Sequence, residues 1–193
     1  MKPKVLGITG GVATGKSTVS KVLKRYGGFL ISADEIAHNI ILPREKAYKK
    51  IVSKFGEDIL NKDNTINRKK LGEIIFKNKK TRKLLEKITH PEIIRELKQK
   101  IKKAKSSKFI ILEAPLLFEA KIANLADIII VVTSSKKVQI NRLLKKGFTF
   151  KESKDRILSQ IPLKEKIKKA DVVIYNNGSV KNLKKQVKNI LKL

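Results

Sequence analysis

Short continuous apolar runs alternate along this chain with segments whose apolar residues recur every three or four positions. The runs Lys4–Thr9, Phe29–Ser32, Phe109–Glu113, Ile128–Val132 and Val172–Ile174 are rich in β-branched side chains. Their unbroken apolar character predicts strands covered on both faces, as in a parallel sheet with crossover helices. Helical periodicity predicts Ser17–Tyr26, Lys136–Lys146 and Val180–Leu193, the last with Val180, Leu183, Val187, Ile190 and Leu191 on one stripe behind a capping Ser179. Between the second and third strands, residues from about 35 to 108 are helical in pattern and lack a strand. That is too long for a simple crossover and reads as a helical substrate-binding insertion, with purely structural decoration as the alternative. Inside it, His90-Pro91-Glu92 predicts a helix start, with Pro at the first helical position, an acid in the first turn and lysines gathering towards the end.

Composition narrows the class. The 193 residues suit one α/β domain, and the absence of Cys excludes disulfides and thiolate metal sites, as fits a reducing cytoplasm. The apolar run after Met1-Lys2-Pro3-Lys4 is too short for a signal peptide, and no run approaches a membrane span, so no membrane association is expected. Lys+Arg number 46 against 17 Asp+Glu, a net charge of +29 that attracts polyanions. A nucleic-acid binder is one reading; the other is lysine bias spread over solvated helix faces with an anionic small-molecule substrate. The dispersal of the cations and an aromatic content of 5% favour the second, since stacking platforms for bases are scarce. Against that lysine background Arg25, Arg44, Arg68, Arg82, Arg95, Arg142 and Arg156 stand out, because only Arg offers phosphate a rigid two-pronged fork.

The most specific local signal follows the first apolar run. Gly10-Gly11-Val12-Ala13-Thr14-Gly15-Lys16-Ser17-Thr18 fits G-x-x-x-x-G-K-[ST] between a predicted strand and a predicted helix. Glycines let successive N–H groups turn in around a phosphate, Lys16 reaches the terminal phosphates, Ser17 offers a hydroxyl to Mg²⁺, and the helix adds its positive end. In open α/β sheets ligands bind beyond the carboxyl ends of the strands. There Asp34, in Ile31-Ser32-Ala33-Asp34, could take a proton from an attacking hydroxyl or hold Mg²⁺ through water; the alternative is an N-cap for a helix beginning at Glu35. The third strand ends in Glu113-Ala114-Pro115-Leu116-Leu117-Phe118-Glu119, which could shape a pocket.

With these residues in view, the chain resembles the dephospho-CoA kinases along almost its whole length. Besides the loop, the resemblance rests on Ala33-Asp34, Asn67-Arg68 with Leu71 and Phe76, His90-Pro91, Pro115-Leu116-Leu117-Phe118-Glu119, Gln139 with Arg142-Leu143, Arg156-Ile157 with Gln160, and Ala170-Asp171-Val172-Val173-Ile174 with Asn176-Asn177-Gly178. It implies a P-loop NTPase fold of the nucleoside-monophosphate-kinase type, a five-stranded parallel sheet with flanking helices. The core would be 1–34 and 109–193, the CoA-binding insertion about 35–108, and a lid about 140–165. It implies transfer of the ATP γ-phosphoryl group to the ribose 3′-hydroxyl of dephospho-CoA, with Mg²⁺ required and held by Ser17. Asp34 would be the general base, and Lys16, Arg68 and Arg142 would act on the phosphates, Arg142 near the lid. Gly11, Val12, Ala13, Thr14, Gly15, Lys16, Ser17, Thr18, Asn177 and Gly178 would bind ATP; Asp34, Arg68, His90, Pro115 and Leu116 would face the acceptor. No obligatory nucleic acid or membrane is implied, and the oligomeric state stays open.

Some residues depart from the family pattern. Ala13 stands where Gly is usual, which requires a negative φ; Ser32 stands where a first Asp is common; Lys146 replaces a lid Arg, with Gly147-Phe148-Thr149 about one residue short; and Tyr175 replaces an Asp. Two other classes share part of the signal: another small P-loop kinase, and a nucleic-acid-binding NTPase suggested by charge alone.

Overall fold

A computed structural model describes residues 2–191; the side chain of Phe76 and the last two residues of the expected final helix lie outside it. Five strands, β1 (Val5–Gly10), β2 (Gly28–Ser32), β3 (Phe109–Glu113), β4 (Ile128–Thr133) and β5 (Val172–Tyr175), form one parallel sheet in the order β2-β3-β1-β4-β5. Each expected strand is present with its ends moved by at most one residue. The first slides forward because β4 keeps pairing with it as far as Gly10, opposite Val132. At the opposite end, carboxylates staple the strand starts: Asp127 accepts from the Val5 N–H and Asp171 from the Ile129 N–H, both at 2.7 Å.

The chain divides into two compact units, one of residues 1–32 and 101–193, the other Ala33–Lys100. In the first, Leu6, Ile8, Ile111, Ile130, Val132 and Ile174 pack against Val19, Val22 and Leu23 of α1 (Lys16–Arg25) and Leu183, Val187 and Ile190 of α9 (Val180–Ile190). Each fully buried aliphatic side chain there contributes roughly 1.5–3 kcal/mol of transfer free energy. Ser179 caps α9 as expected, accepting from the Asn182 N–H. Three more helices, α6 (Lys136–Leu144), α7 (Phe150–Leu158) and α8 (Leu163–Ile167), run between β4 and β5. α6 stops two residues short of the expected Lys146, and a turn with Gly147 at φ 88° follows. A reciprocal capping box then starts α7, Thr149 with Glu152. Hydrogen bonds from the Thr149 N–H and hydroxyl hold the Glu152 carboxyl below its ordinary pKa.

The second unit contains α2 (Ala33–Asn39), α3 (Lys46–Phe55), α4 (Arg68–Lys77) and most of α5 (Lys79–Lys103). Its small core gathers Ile51, Ile59, Ile66 and Leu71, with Leu85 and Ile88 of α5 packed against them. Asn67 caps α4 through bonds from the Lys69 and Lys70 N–H groups.

One expectation is corrected here and one alternative is excluded. No helix begins at His90-Pro91: α5 starts eleven residues earlier, at Lys79, and passes straight through Pro91. Proline forfeits its own N–H bond and crowds the carbonyl of Lys87, an exposed residue whose carbonyl water can satisfy, while packing on both sides keeps the helix going. Nor does Asp34 precede a helix as its cap, since α2 already includes Ala33 and places Asp34 in its first turn. A negative charge there is favoured by the helix dipole.

Candidate active site

β1 ends at the centre of the sheet, and the glycine-rich loop turns there into α1. Gly10 sits at φ 147° with the Val132 carbonyl where a Cβ would be, and Gly15 at φ 96° with the Asn176 amide in that place, so neither position admits a side chain. Ala13 lies at φ 56°, which overturns the expectation of a negative φ. The loop's course decides this conformation, and Ala carries the strain that Gly would avoid, about 1–2 kcal/mol.

Side chains from several elements engage the loop's carbonyls. Arg142 donates to the carbonyls of Ala13 (3.0 Å) and Thr14 (3.2 Å), and through its other nitrogen to that of Asn176 (3.0 Å). Asn176, buried, donates to the Thr14 carbonyl at 2.8 Å, and the Thr14 hydroxyl to that of Gly11 at 2.9 Å. Carbonyls tied back in this way leave the opposite side of the loop to N–H groups. α1 has no side-chain cap and no acid in its first turn, so its positive end stays available to an anion. Lys16 is buried rather than at the loop surface, folded back so that its ammonium donates to the carbonyls of Gly11 (2.8 Å) and Gly10 (3.4 Å). The Val12 N–H donates to the side-chain oxygen of Gln160, 2.9 Å away, in the segment between α7 and α8. Beside it opens a cavity of about 410 Å³ bordered by Gly11, Ser134, Gln139 and Leu163.

Ser17, one residue into α1, donates its hydroxyl to Glu113 at the end of β3, 2.7 Å away. Beyond Glu113 the segment expected to shape a pocket is anchored from below. Lys166 of α8, fully buried, reaches the Pro115 carbonyl (2.9 Å) and pairs with Glu119 (2.8 Å), while the Thr9 hydroxyl reaches the same carbonyl (3.2 Å). A buried ammonium is tolerated only with such partners. Pro115 is half-buried, and Leu116 exposes 48% of its surface. Asn177 accepts from the Ser135 N–H at 2.8 Å, tying the turn after β5 to the start of α6, and Gly178 beside it is exposed.

Asp34, Arg68 and His90 belong to the helical unit. Asp34 and Arg68 are exposed, His90 half-buried. Arg68 opens α4 and donates to the ring nitrogen Nδ1 of His38 at 3.0 Å.

Sequence reasoning brought together the loop residues, Arg142, Asn177 and Gly178, and it gave Arg142 to a lid; the structure places its guanidinium on the carbonyl side of the loop. Four residues received no role. Asn176 and Gln160 entered only among the residues that carry the resemblance, Lys166 lies 51 residues from the Pro115 it anchors, and Glu113 carried only the hint of an acid at a strand's carboxyl end.

The dephospho-CoA kinase family model matches residues 4–182. A dephospho-CoA kinase of Carboxydothermus hydrogenoformans is 46% identical over 190 residues, covering 97% of this chain and 92% of that protein. A solved dephospho-CoA kinase from Campylobacter jejuni has a TM-score of 0.71 at 35% identity, covering 97% and 95%. The Thermus thermophilus protein TT1252 has a TM-score of 0.86 at 26% identity, covering 100% and 98%. With the P-loop at the carboxyl end of the central strand and this extent of likeness, the chain has a P-loop kinase fold and belongs to the dephospho-CoA kinase family.

Proposed function

We infer that the protein transfers the γ-phosphoryl group of ATP to the ribose 3′-hydroxyl of dephospho-CoA, the last step of coenzyme A synthesis. The observation that carries this reading is a glycine-rich loop whose carbonyls are engaged by side chains, leading into a helix start with neither a side-chain cap nor an acid, in a chain of this family. Phosphoryl transfer leaves the protein little covalent work, so positioning and charge stabilisation dominate. The first-turn N–H groups of α1 hold the phosphates, and Lys16 leaves its carbonyl partners to follow the terminal ones. Asp34 accepts the proton of the 3′-hydroxyl as that oxygen bonds to phosphorus and ADP departs. Arg68 holds the acceptor or the migrating group; Pro115, Leu116 and the helix carrying His90 border the acceptor; Asn177 and Gly178 border the adenine. The segment of about 140–165 acts as the lid, excluding water that would otherwise be phosphorylated.

The donors fit a magnesium ion. A hydroxyl and a carboxylate beside a phosphate cradle suit a cation that keeps several waters and takes substrate oxygens, and among the described residues no cluster of three His, Cys, Asp or Glu offers another metal site. Ser17 would hold it, and when bound it neutralises charge developing on the phosphates. Among the described residues no helix is long and apolar enough to cross a membrane, and a cytoplasmic enzyme fits that.

The test is ADP release from ATP and Mg²⁺ with and without dephospho-CoA, with the product's mass measured. Acceptor-dependent ADP and a product heavier by one phosphate are expected. Release that ignores dephospho-CoA, or answers to DNA or RNA instead, would overturn the reading.

A further inference from the structure

Of the chain's two histidines only His90 carried an expectation, yet it is His38 that meets a residue of the reaction outlined above. Nη1 of Arg68 lies 3.0 Å from Nδ1 of His38. A guanidinium has five donors and no acceptor, so the ring nitrogen must be the acceptor. That fixes the state of the histidine in this contact: neutral, with its proton on Nε2.

The neutrality of this partner sets Arg68 apart. Arg82 and Arg95 lie against glutamates, whose charge offsets theirs. Among the described residues no carboxylate pairs with Arg68. An imidazole lone pair orients the guanidinium without neutralising it, so the fork keeps its full charge for an incoming anion.

Both ends of the Arg68 side chain are held before any substrate arrives. At the backbone end, Asn67 caps α4 and donates its own N–H to the Ile59 carbonyl at 2.7 Å, and Ile59 and Ile66 are buried. At the far end stands His38, on the helix α2 that Ile36 anchors in the interior. Asp34 and His38 are four residues apart within α2, so their side chains share one face, with Cβ atoms about 5–6 Å apart. The guanidinium that His38 holds is therefore held on the side of α2 that carries Asp34.

We propose that His38 is a positioning residue for the acceptor: in its neutral, Nε2-protonated form it presets the Arg68 guanidinium, fully charged, on the face of α2 that carries Asp34. The proposal rests on the reading of Arg68 as a residue that holds the acceptor. A long arginine side chain left free would lose its rotamer freedom at the moment of binding, and ordering it in advance is worth about three- to tenfold in affinity.

The experiment measures by calorimetry the binding of dephospho-CoA without ATP, and of ADP separately, to the full chain. His38→Leu, which suits a helix but offers no acceptor, is expected to weaken dephospho-CoA binding about three- to tenfold and to leave ADP binding unchanged. His38→Asn, whose Oδ1 falls close to the place of Nδ1, is expected to recover most of the loss, a rescue that a merely structural ring would not show. In an Arg68→Ala background His38→Leu should add no further loss, because its effect passes through the guanidinium. With thermal melting showing each variant folded, dephospho-CoA affinity unchanged in His38→Leu would overturn the proposal. So would equal losses in the Leu and Asn variants, or a full additional loss in the Arg68→Ala background. Arg68→Ala binding dephospho-CoA as tightly as the wild type would overturn it through the role of Arg68, whereas the ADP-release assay tests the kinase reading without touching His38.

Discussion

The two compact units carry their candidate chemistry in different materials. In the sheet unit the groups proposed to act on substrate are backbone N–H groups, fixed by glycines that no other residue could replace and by carbonyls bonded to Arg142, Asn176 and Thr14. In the helical unit they are exposed side chains, Asp34 in the first turn of α2 and Arg68 at the start of α4, over a core centred on Ile51, Ile59, Ile66 and Leu71. A backbone site is built as soon as its scaffold folds. A side-chain site of this kind is completed only when substrate gives the side chains something to hold. The contrast predicts that damage to one unit changes nucleotide binding and damage to the other changes turnover of the acceptor.

The sharpest test is Asp34→Asn, which keeps the shape and removes the base. A fall in kcat of about 10²–10⁴-fold, with ATP affinity measured by calorimetry nearly unchanged, is expected. A loss confined to thermal stability would return Asp34 to a helix-terminus role. Lys16→Ala comes next, with kcat/KM for ATP lowered about 10²–10³-fold and a modest stability loss from two broken bonds to carbonyls, about 1 kcal/mol each. Near-normal turnover of that variant would dissolve the phosphate-cradle assignment.

Core truncation separates the units directly. Ile51→Ala should cost about 2–5 kcal/mol, as should Ile8→Ala in the sheet, since both side chains are fully buried. Hydrogen exchange should localise the first loss to the helical unit, with ADP binding retained and acceptor turnover impaired. Ile8→Ala should lower both together. Equal loss of ADP binding in the two variants would break the comparison. The smallest effect is a gain. Ala13→Gly relieves about 1–2 kcal/mol of left-handed strain and gives back about 0.4–1 to the freer unfolded chain, a net stabilisation of roughly 0.5–1 kcal/mol in chemical denaturation.

The sheet was legible because buried parallel strands leave a short, unbroken apolar run that little else produces, and the loop because its glycine spacing is a backbone requirement. The misreadings at His90-Pro91 and Ala13 share a cause, a local preference that the surrounding structure overrode, and the same override removes the alternative of Asp34 as a cap. Helix packing carries α5 through Pro91, β2 passes into α2 without a gap so that Asp34 is inside the helix, and the loop's anchors impose a positive φ on Ala13. The supporting partners of the loop were hidden for another reason. Gln160 and Asn176 meet Val12 and Thr14 across 148 and 162 residues of chain, and no spacing rule joins positions so far apart.

That separation also bears on how the molecule comes into being. β1 occupies the centre of the sheet, yet its neighbours are β3, where Val5 meets Ile110, and β4, where Leu6 meets Ile128. During synthesis the most N-terminal strand therefore emerges without either partner, and more than a hundred further residues must leave the ribosome before it can pair. Contacts this distant along the chain slow folding, because the loop must close before any pairing rewards it. The phosphate cradle, written first, is among the last parts of the enzyme to take shape.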